Sequence, residues 1–419
     1  MSARGHAFVA VAALACAAAR PAAAGIEVSL VSYLSARPEL RDGRALTAAP
    51  LLELVSVDAW GLSAPGVRDA RVHVSTWGAL GLLDLPARGS VSGDVDLAYA
   101  EGRLLEDHLR LVVGRQLIAG GAARFLQLDG LFAEYSLARR LRVTAWGGAP
   151  VAARFNVRQG DAAAGGRVAW APSWDSELGA SYALVLDRGV VARSDAGVDG
   201  RWAPSNALWI TGHALWSAAE SRIVEAELAP HWRALPSLEL ALSARQVAPD
   251  LLVPRSSILS VFAEPERDEL GAIAVWEVRP ELAVTADARA AWLSGSPGGD
   301  AGARLAARVA PGTLVIGELR WLGAFDQGGY LRARLAASRK VTPKLVLAVD
   351  ADAFWRDRAV NGVNHSAVAS ATASWTFAPE WLAVAELGAG TTPELAAEAR
   401  GMVKLAWRWS VAASDRSGP

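Results

Sequence analysis

Apolar and polar residues alternate along most of the chain, and no stretch shows a convincing helical period. After Pro280 the even steps are Leu282, Val284, Ala286, Ala288, Ala290 and Trp292, whereas the odd steps include Thr285, Asp287 and Arg289. After Pro343 one parity holds Leu345, Leu347, Val349, Ala351, Ala353 and Trp355, and the other holds Asp350 and Asp352. Successive side chains of a strand point to opposite faces, so these stretches predict strands with one apolar face and one charged face.

A turn-like mark recurs at Pro65, Asp107, Arg139, Pro172, Pro204, Pro236, Pro280, Pro311, Pro343 and Pro379. Most intervals are about 32 residues, the length of two strands, a tight turn and a longer loop. Proline lacks a backbone donor and presets a turn, so it belongs at strand starts and not inside ladders. Tryptophans fall at two distances from the marks. Trp232, Trp276, Trp375 and Trp381 lie near them; Trp77, Trp216, Trp292, Trp321 and Trp355 lie ten or twelve residues beyond. Ten residues at a rise of about 3.3 Å, tilted by about 40°, climb roughly 25 Å, the height of the apolar band of an outer-membrane barrel. These nine tryptophans are the expected aromatic girdle.

The fold expected is all-β: a transmembrane antiparallel up-and-down β-barrel of about 22 strands, with 18–20 as the alternative count. Both ends lie on the periplasmic side, and strands follow the leader so directly that no plug domain is expected. Residues 36–50, 150–165 and 248–268 are expected as loops on the opposite rim. The last is unusually apolar, with Leu251-Leu252-Val253 and Ile258-Leu259-Ser260-Val261-Phe262, so it either folds inward or extends its flanking strands.

The first residues change the picture by setting the compartment. Arg4 and His6 precede an apolar run from Ala7 to Ala19, then Ala22-Ala23-Ala24 before Gly25, the parts of a cleaved export signal. The expected organisation is a signal at 1–24, a barrel at 25–410 and a tail at 411–419. A lipoprotein signal using Cys16 is the weaker reading, because Leu14 stands one position too late. Loss of Cys16, the single cysteine, removes disulfides and thiolate metal sites. With 42 basic and 43 acidic residues there is no global field to attract nucleic acid. No cofactor and no metal are expected. The partners expected are the outer-membrane lipid bilayer, small solutes and the outer-membrane assembly machinery.

Candidate chemistry sits on the charged parity. His213, Arg245, Asp287, Arg289, Glu318, Arg320, Asp350 and Asp352 fall at matching steps of their strands, and Arg304, Arg308, Arg332 and Arg334 sit on neighbouring ones. They are the pore-lining candidates. Opposite charges on adjacent strands brace a wall by pairing, whereas rings of charge set selectivity in pores. Trp146 and Trp209 share the inner parity, where rings could stack sugars. Asn364-His365-Ser366 places a histidine beside a serine, a thin hint of hydrolase chemistry, since adjacent strand residues point apart.

Gly114-Arg115-Gln116, Gly120-Gly121, Arg124 and Asp129-Gly130 resemble the Gly-Arg-Gln…Asp-Gly hairpin of alginate-export-type porins and related porin-like outer-membrane channels. The resemblance implies a channel for polyanionic sugars or small solutes with Arg115 facing the pore, although the parity count puts Arg115 on the lipid side. The function expected is a porin-like channel in a Gram-negative outer membrane for diffusion of small polar or charged solutes, and not an enzyme. Export of an acidic polysaccharide, a closed structural barrel and an outer-membrane hydrolase are the alternatives.

Overall fold

The computed structural model describes residues 25–41, 44–82, 91–138, 140–152, 157–158, 160–251, 266–293, 296–323 and 328–411. The expected export signal, the end of the tail and most of the 248–268 loop lie outside them.

The described residues form a sheet of 24 strands, of which two short ones extend loop hairpins and 22 make a closed antiparallel barrel. The first half runs β1 (Gly25–Arg41), β2 (Arg44–Ala48), β3 (Pro50–Ala64), β4 (Val67–Gly81), β5 (Val91–Leu104), β6 (Leu109–Gly120), β7 (Arg124–Ala138), β8 (Leu141–Ala152), β9 (Val157–Arg158), β10 (Ala162–Ser173), β11 (Ser176–Asp187) and β12 (Val190–Ser205). It continues with β13 (Leu208–Ser217), β14 (Arg222–Leu235), β15 (Leu238–Val247), β16 (Arg267–Arg279), β17 (Leu282–Leu293), β18 (Ser296–Ala310), β19 (Thr313–Gly323), β20 (Tyr330–Thr342), β21 (Leu345–Val360), β22 (Val363–Ala378), β23 (Trp381–Thr391) and β24 (Glu398–Val411). β2 pairs with β1, so most of the 36–50 segment is a hairpin and not a loop. β9 pairs with the end of β8. The cylinder closes where β1 runs antiparallel to β24, from Ile26↔Val411 to Ala36↔Gly401. Among the described residues there is no separate plug domain.

One rim is made of two-residue turns such as Pro236-Ser237, Pro280-Glu281, Pro311-Gly312, Pro343-Lys344 and Pro379-Glu380. Proline supplies the fixed φ of the first turn position. The first and last described residues, Gly25 and Val411, lie toward this rim. Pro172 and Pro204 are corrections: they sit inside the ends of β10 and β12, where the pairing slips between Trp170 and Ser173 and between Trp202 and Ser205. A residue without an N–H leaves a gap in the ladder, and a bulge accommodates it. On the other rim, Arg188-Gly189 and Asn361-Gly362 both take positive φ, the hairpin geometry that matches strand twist.

Direct cross-strand partners share a face, so the closed ladder assigns every side chain to one of two faces. Arg332 opposes Arg320, Arg320 opposes Gly302 and Gly302 opposes Asp287; the charged parity is continuous around the barrel. It is the inner face. The 3-10 turn Gly121–Ala123 touches β11 and β12, which are not neighbours of its own strands, and only the inside of a cylinder allows that contact.

The girdle forms on the outer face, with Trp216, Trp232, Trp276, Trp292, Trp321, Trp355 and Trp375 all exposed there and Trp381 opposite the outward Trp407. Trp77 does not join it. It opposes Leu54 and Asp94 on the inner parity, and its indole N–H is buried. A register slip between Arg68 and Arg71, with Asp69 at φ 50, moves β4 by one residue and turns the ring inward.

The ladder is interrupted between β5 and β6. β5 pairs with β6 only from Leu104↔Leu109 to Ala98↔Arg115, and both strands continue beyond that point paired only on their other sides. Side chains close the seam. Arg115 Nη1 donates to the Val95 carbonyl at 2.9 Å, and Gln127 Nε2 to the Asp96 carbonyl. Arg115 therefore sits in the wall between the outward Val113 and Leu117, and not in the pore as the resemblance implied.

Candidate functional site

The inner face carries the chemistry. On β16–β19 a continuous ion-pair chain runs across the ladder. Arg320 donates to Asp287 at 2.9 Å and to Asp300 at 2.7 Å. Arg289 donates to the other Asp300 oxygen at 2.6 Å and lies 3.3 Å from Glu269, which also pairs with Arg267 at 2.8 Å. Asp300 and Glu269 are 5% and 7% exposed, covered by these guanidinium groups. On β19–β21, Arg332 donates to Asp352 at 2.6 Å and lies 3.6 Å from Glu318, while Arg334 donates to Asp350 at 2.6 Å. Arg304 opposes Glu318, and Arg308 donates to the Pro280 carbonyl at 3.3 Å. These residues, like His213 opposite Asp199 and Arg245 opposite Glu269, lie on the inner face. Planar guanidinium groups suit such a wall, because each can bridge two carboxylates on different strands.

A second knot surrounds Glu225 on β14. Arg245 donates to it at 2.7 Å, Arg124 pairs with its other oxygen from the start of β7, and His213 lies 3.6 Å away. His213, Glu225 and Glu227 bring ligand-type atoms within 4.8 Å of one another. Both Glu225 oxygens already accept from arginine, so the cluster is held by cations of the protein's own. A third group joins Arg167 to Asp199 at 2.5 Å and to Glu177 at 2.8 Å, with Arg142 on the same glutamate. Sequence reasoning missed Arg167, Asp199 and Glu225, and took Arg124 only as part of a resemblance. Arg167 and Asp199 each stand between a glycine and a valine, and that weak apolar contrast hid their parity.

Gly121–Ala123 is the inward segment among the described residues. The Ala122 N–H donates to Ser181 Oγ at 2.7 Å, and Arg193 Nη2 donates to the Ala122 carbonyl at 2.7 Å. Ala122 is fully buried among Ile118, Leu126, Ala183 and Leu215, with Trp146 in the same apolar cluster. Gly120 and Gly121 adopt φ 96 and φ 56, which let the chain turn into the barrel. The sequence signal was this glycine pair, read there only as part of a resemblance. Of the 248–268 segment the two ends are described: Pro249–Leu251 forms a 3-10 turn with Leu251 against the same cluster, and Arg267 and Asp268 begin β16.

Trp146 is buried and offers no open face, whereas Trp209 is partly exposed inside the barrel. His231 stacks on Trp209 at 5.0 Å, and the Arg201 and Arg233 guanidinium groups stand 5.6 and 5.7 Å from its ring centre. The serine–histidine arrangement is not assembled. Ser366 opposes Phe354 on the inner face and accepts from Arg356 at 3.0 Å, while His365 opposes Trp355 on the outer face.

No protein-family model and no curated protein matches the chain. Among solved structures, Acinetobacter baumannii OccAB4 is similar at 9% identity over 94% of this chain and 99% of that one, with a TM-score of 0.46. The outer membrane protein OpdK from Pseudomonas aeruginosa aligns at 9% identity over 93% and 99%, TM-score 0.45. The P pilus usher translocation pore, PapC, aligns at 9% identity over 93% and 100%, TM-score 0.47. The barrel itself rests on its closed hydrogen-bond ladder.

Proposed function

We propose that the chain is an outer-membrane channel through which small polar or charged solutes diffuse. The observation that carries this reading is the division of faces: a tryptophan-bearing apolar outside and an inside lined by ion pairs. An outer apolar band suits lipid, and a charged interior suits water and polar solutes. The inward turn at Gly121–Ala123, with Arg124–Glu225 and Arg193 beside it, is the natural constriction. The charged residues of β16–β21 then act as a selectivity belt. Reconstitution into a planar bilayer tests the reading: discrete conductance steps are expected, and a silent membrane containing folded barrel would overturn it.

One observation favours a ring-bearing anion among the solutes. Arg201 and Arg233 gather with the His231 ring around Trp209, which pairs two guanidinium groups with an aromatic surface. That combination suits an acidic sugar, and with it the export of an acidic polysaccharide. Blockade of the ion current by glucuronate, weakened in Trp209→Ala, is the expected sign.

A further inference from the structure

The girdle is not continuous. From β10 to β24 the outer face carries Trp170, Trp202, Trp216, Trp232, Trp276, Trp292, Trp321, Trp355, Trp375 and Trp409, all exposed. From β1 to β8 no tryptophan points outward: Trp77 and Trp146 lie on the inner parity, and Trp60 lines an inner pocket with Glu27, Asp58 and Arg71. The same sector places charge on the outside. Arg115 donates to Asp129 at 2.7 and 2.9 Å, and the pair stands between Val113, 55% exposed, and Leu131, 47% exposed. Arg115 is six residues above Leu109 at the turn rim, which at about 3.3 Å rise and about 40° tilt is roughly 15 Å up, between the two belts. Ser32 and Glu53, hydrogen-bonded at 2.6 Å, are a second polar pair of outward parity. The seam between β5 and β6 lies at the same level, where side chains and not a backbone ladder hold the two strands together.

A wall with no interfacial tryptophan, an outward ion pair and an interrupted ladder is built to face protein. We infer that the outer face of β3–β8 is the contact surface for a second copy of this chain, related by a two-fold axis. The chemistry favours a second copy, because the patch holds both signs and is its own complement. Arg115 is held by Asp129 and, through Nη1, by the Val95 carbonyl and Asp94, whereas Asp129, with its side chain 43% exposed, has acceptor capacity left for a donor of the second copy across a two-fold. The size also fits. Six strands spaced about 4.8 Å, tilted about 40° across a band about 25 Å tall, present roughly 900 Å², near the ~800 Å² per partner of a stable interface. The inference rests on the outer-membrane reading.

Single cysteines test it in outer membranes of cells producing the full chain, since Cys16 is the only native cysteine. Val113→Cys and Leu131→Cys probe the sector, and Leu319→Cys and Leu335→Cys probe the far wall. A bismaleimide is expected to give an adduct of twice the barrel mass as the dominant species from the first pair and only background from the second. Arg115→Ala combined with Asp129→Ala, in the Leu131→Cys chain, is expected to lower that yield several-fold. Equal yields from both walls, no adduct in a barrel that accepts a lipid-soluble maleimide, or an adduct of another mass would each overturn a second copy as the occupant. Absence of the chain from the outer-membrane fraction would instead sink the membrane reading, before any cross-link is scored.

Discussion

The inward turn can be loosened by measured steps. Three interactions hold Ala122 and its neighbours against the inner wall: Ser181 Oγ accepts its N–H, Arg193 donates to its carbonyl, and Arg124 pairs with Glu225. A neutral hydrogen bond contributes about 1 kcal/mol net and one from a charged donor about 2. The ion pair adds about 1 kcal/mol, and burial of one methyl a little less. Ordering three residues costs at least about 1 kcal/mol each, which leaves roughly 2 kcal/mol in favour of the inward position. At that value the turn is out for about 3% of the time. Ser181→Ala then raises the ratio of out to in about fivefold, and loss of the Arg193 donor raises it about thirtyfold, so that the turn is out for near half the time. Arg193→Ala is best combined with Asp195→Asn, because Arg193 also pairs with that buried carboxylate. Single-channel recording is the assay. The expected record is flicker to a higher conductance level, rare in the parent, more frequent in Ser181→Ala and roughly equal in dwell in the double variant. Identical dwell times in all three would refute the idea that this turn is the constriction.

Arg320→Ala removes the cation shared by Asp287 and Asp300, so the belt gains net negative charge; reversal potentials in a salt gradient are expected to move toward cation selectivity. Leu335→Arg puts a cation on the outer face at a position 60% exposed. It is expected to cost about 2–4 kcal/mol near the bilayer midplane, read as a lower urea midpoint in lipid vesicles. Gly130→Ala would set a Cβ 2.2 Å from the Gly147 carbonyl oxygen, so β7 and β8 must separate. A reduced yield of heat-modifiable barrel is expected, with Gly317→Ala as the harmless comparison, because nothing lies within 4 Å of a Cβ there.

The barrel was legible in the sequence where strands are regular. From β16 to β22 the turns fall at the prolines, and the parity read from Asp287, Arg320 and Asp350 is the one found, because the one-residue slips fall at the ends of the strands before the turns, at Glu277/Arg279, Arg308/Ala310 and Lys340/Thr342, and leave the count forward from each proline unchanged. The first third was less legible. A bulge at Asp69 is a matter of one φ angle, and no residue pattern announces that it turns Trp77 inward. The prolines at 172 and 204 looked like turns, yet a strand end tolerates a missing donor as well as a turn does. For Arg115 the parity count pointed outward and the resemblance inward; the ladder gives it the outward parity of Val113 and Leu117, and how deep its guanidinium sits in the wall depends on where two strands part. Ion pairs between distant strands, such as Arg124 with Glu225, depend on the inward fold of Gly121–Ala123 and leave no trace in spacing.

The joint between β1 and β24 bears on how the molecule is made. Every other pairing of barrel strands joins chain neighbours, so each hairpin can form soon after its residues emerge. The closing pair joins residues 381 apart, as in the 2.5 Å contact of Arg408 with Glu27. Contacts so remote in sequence carry the largest loop-closure entropy and form late. Until then two long edges stand open at once, and an unpaired edge is a template for any strand that meets it. Assembly is therefore safest when something holds those edges until the cylinder closes on itself.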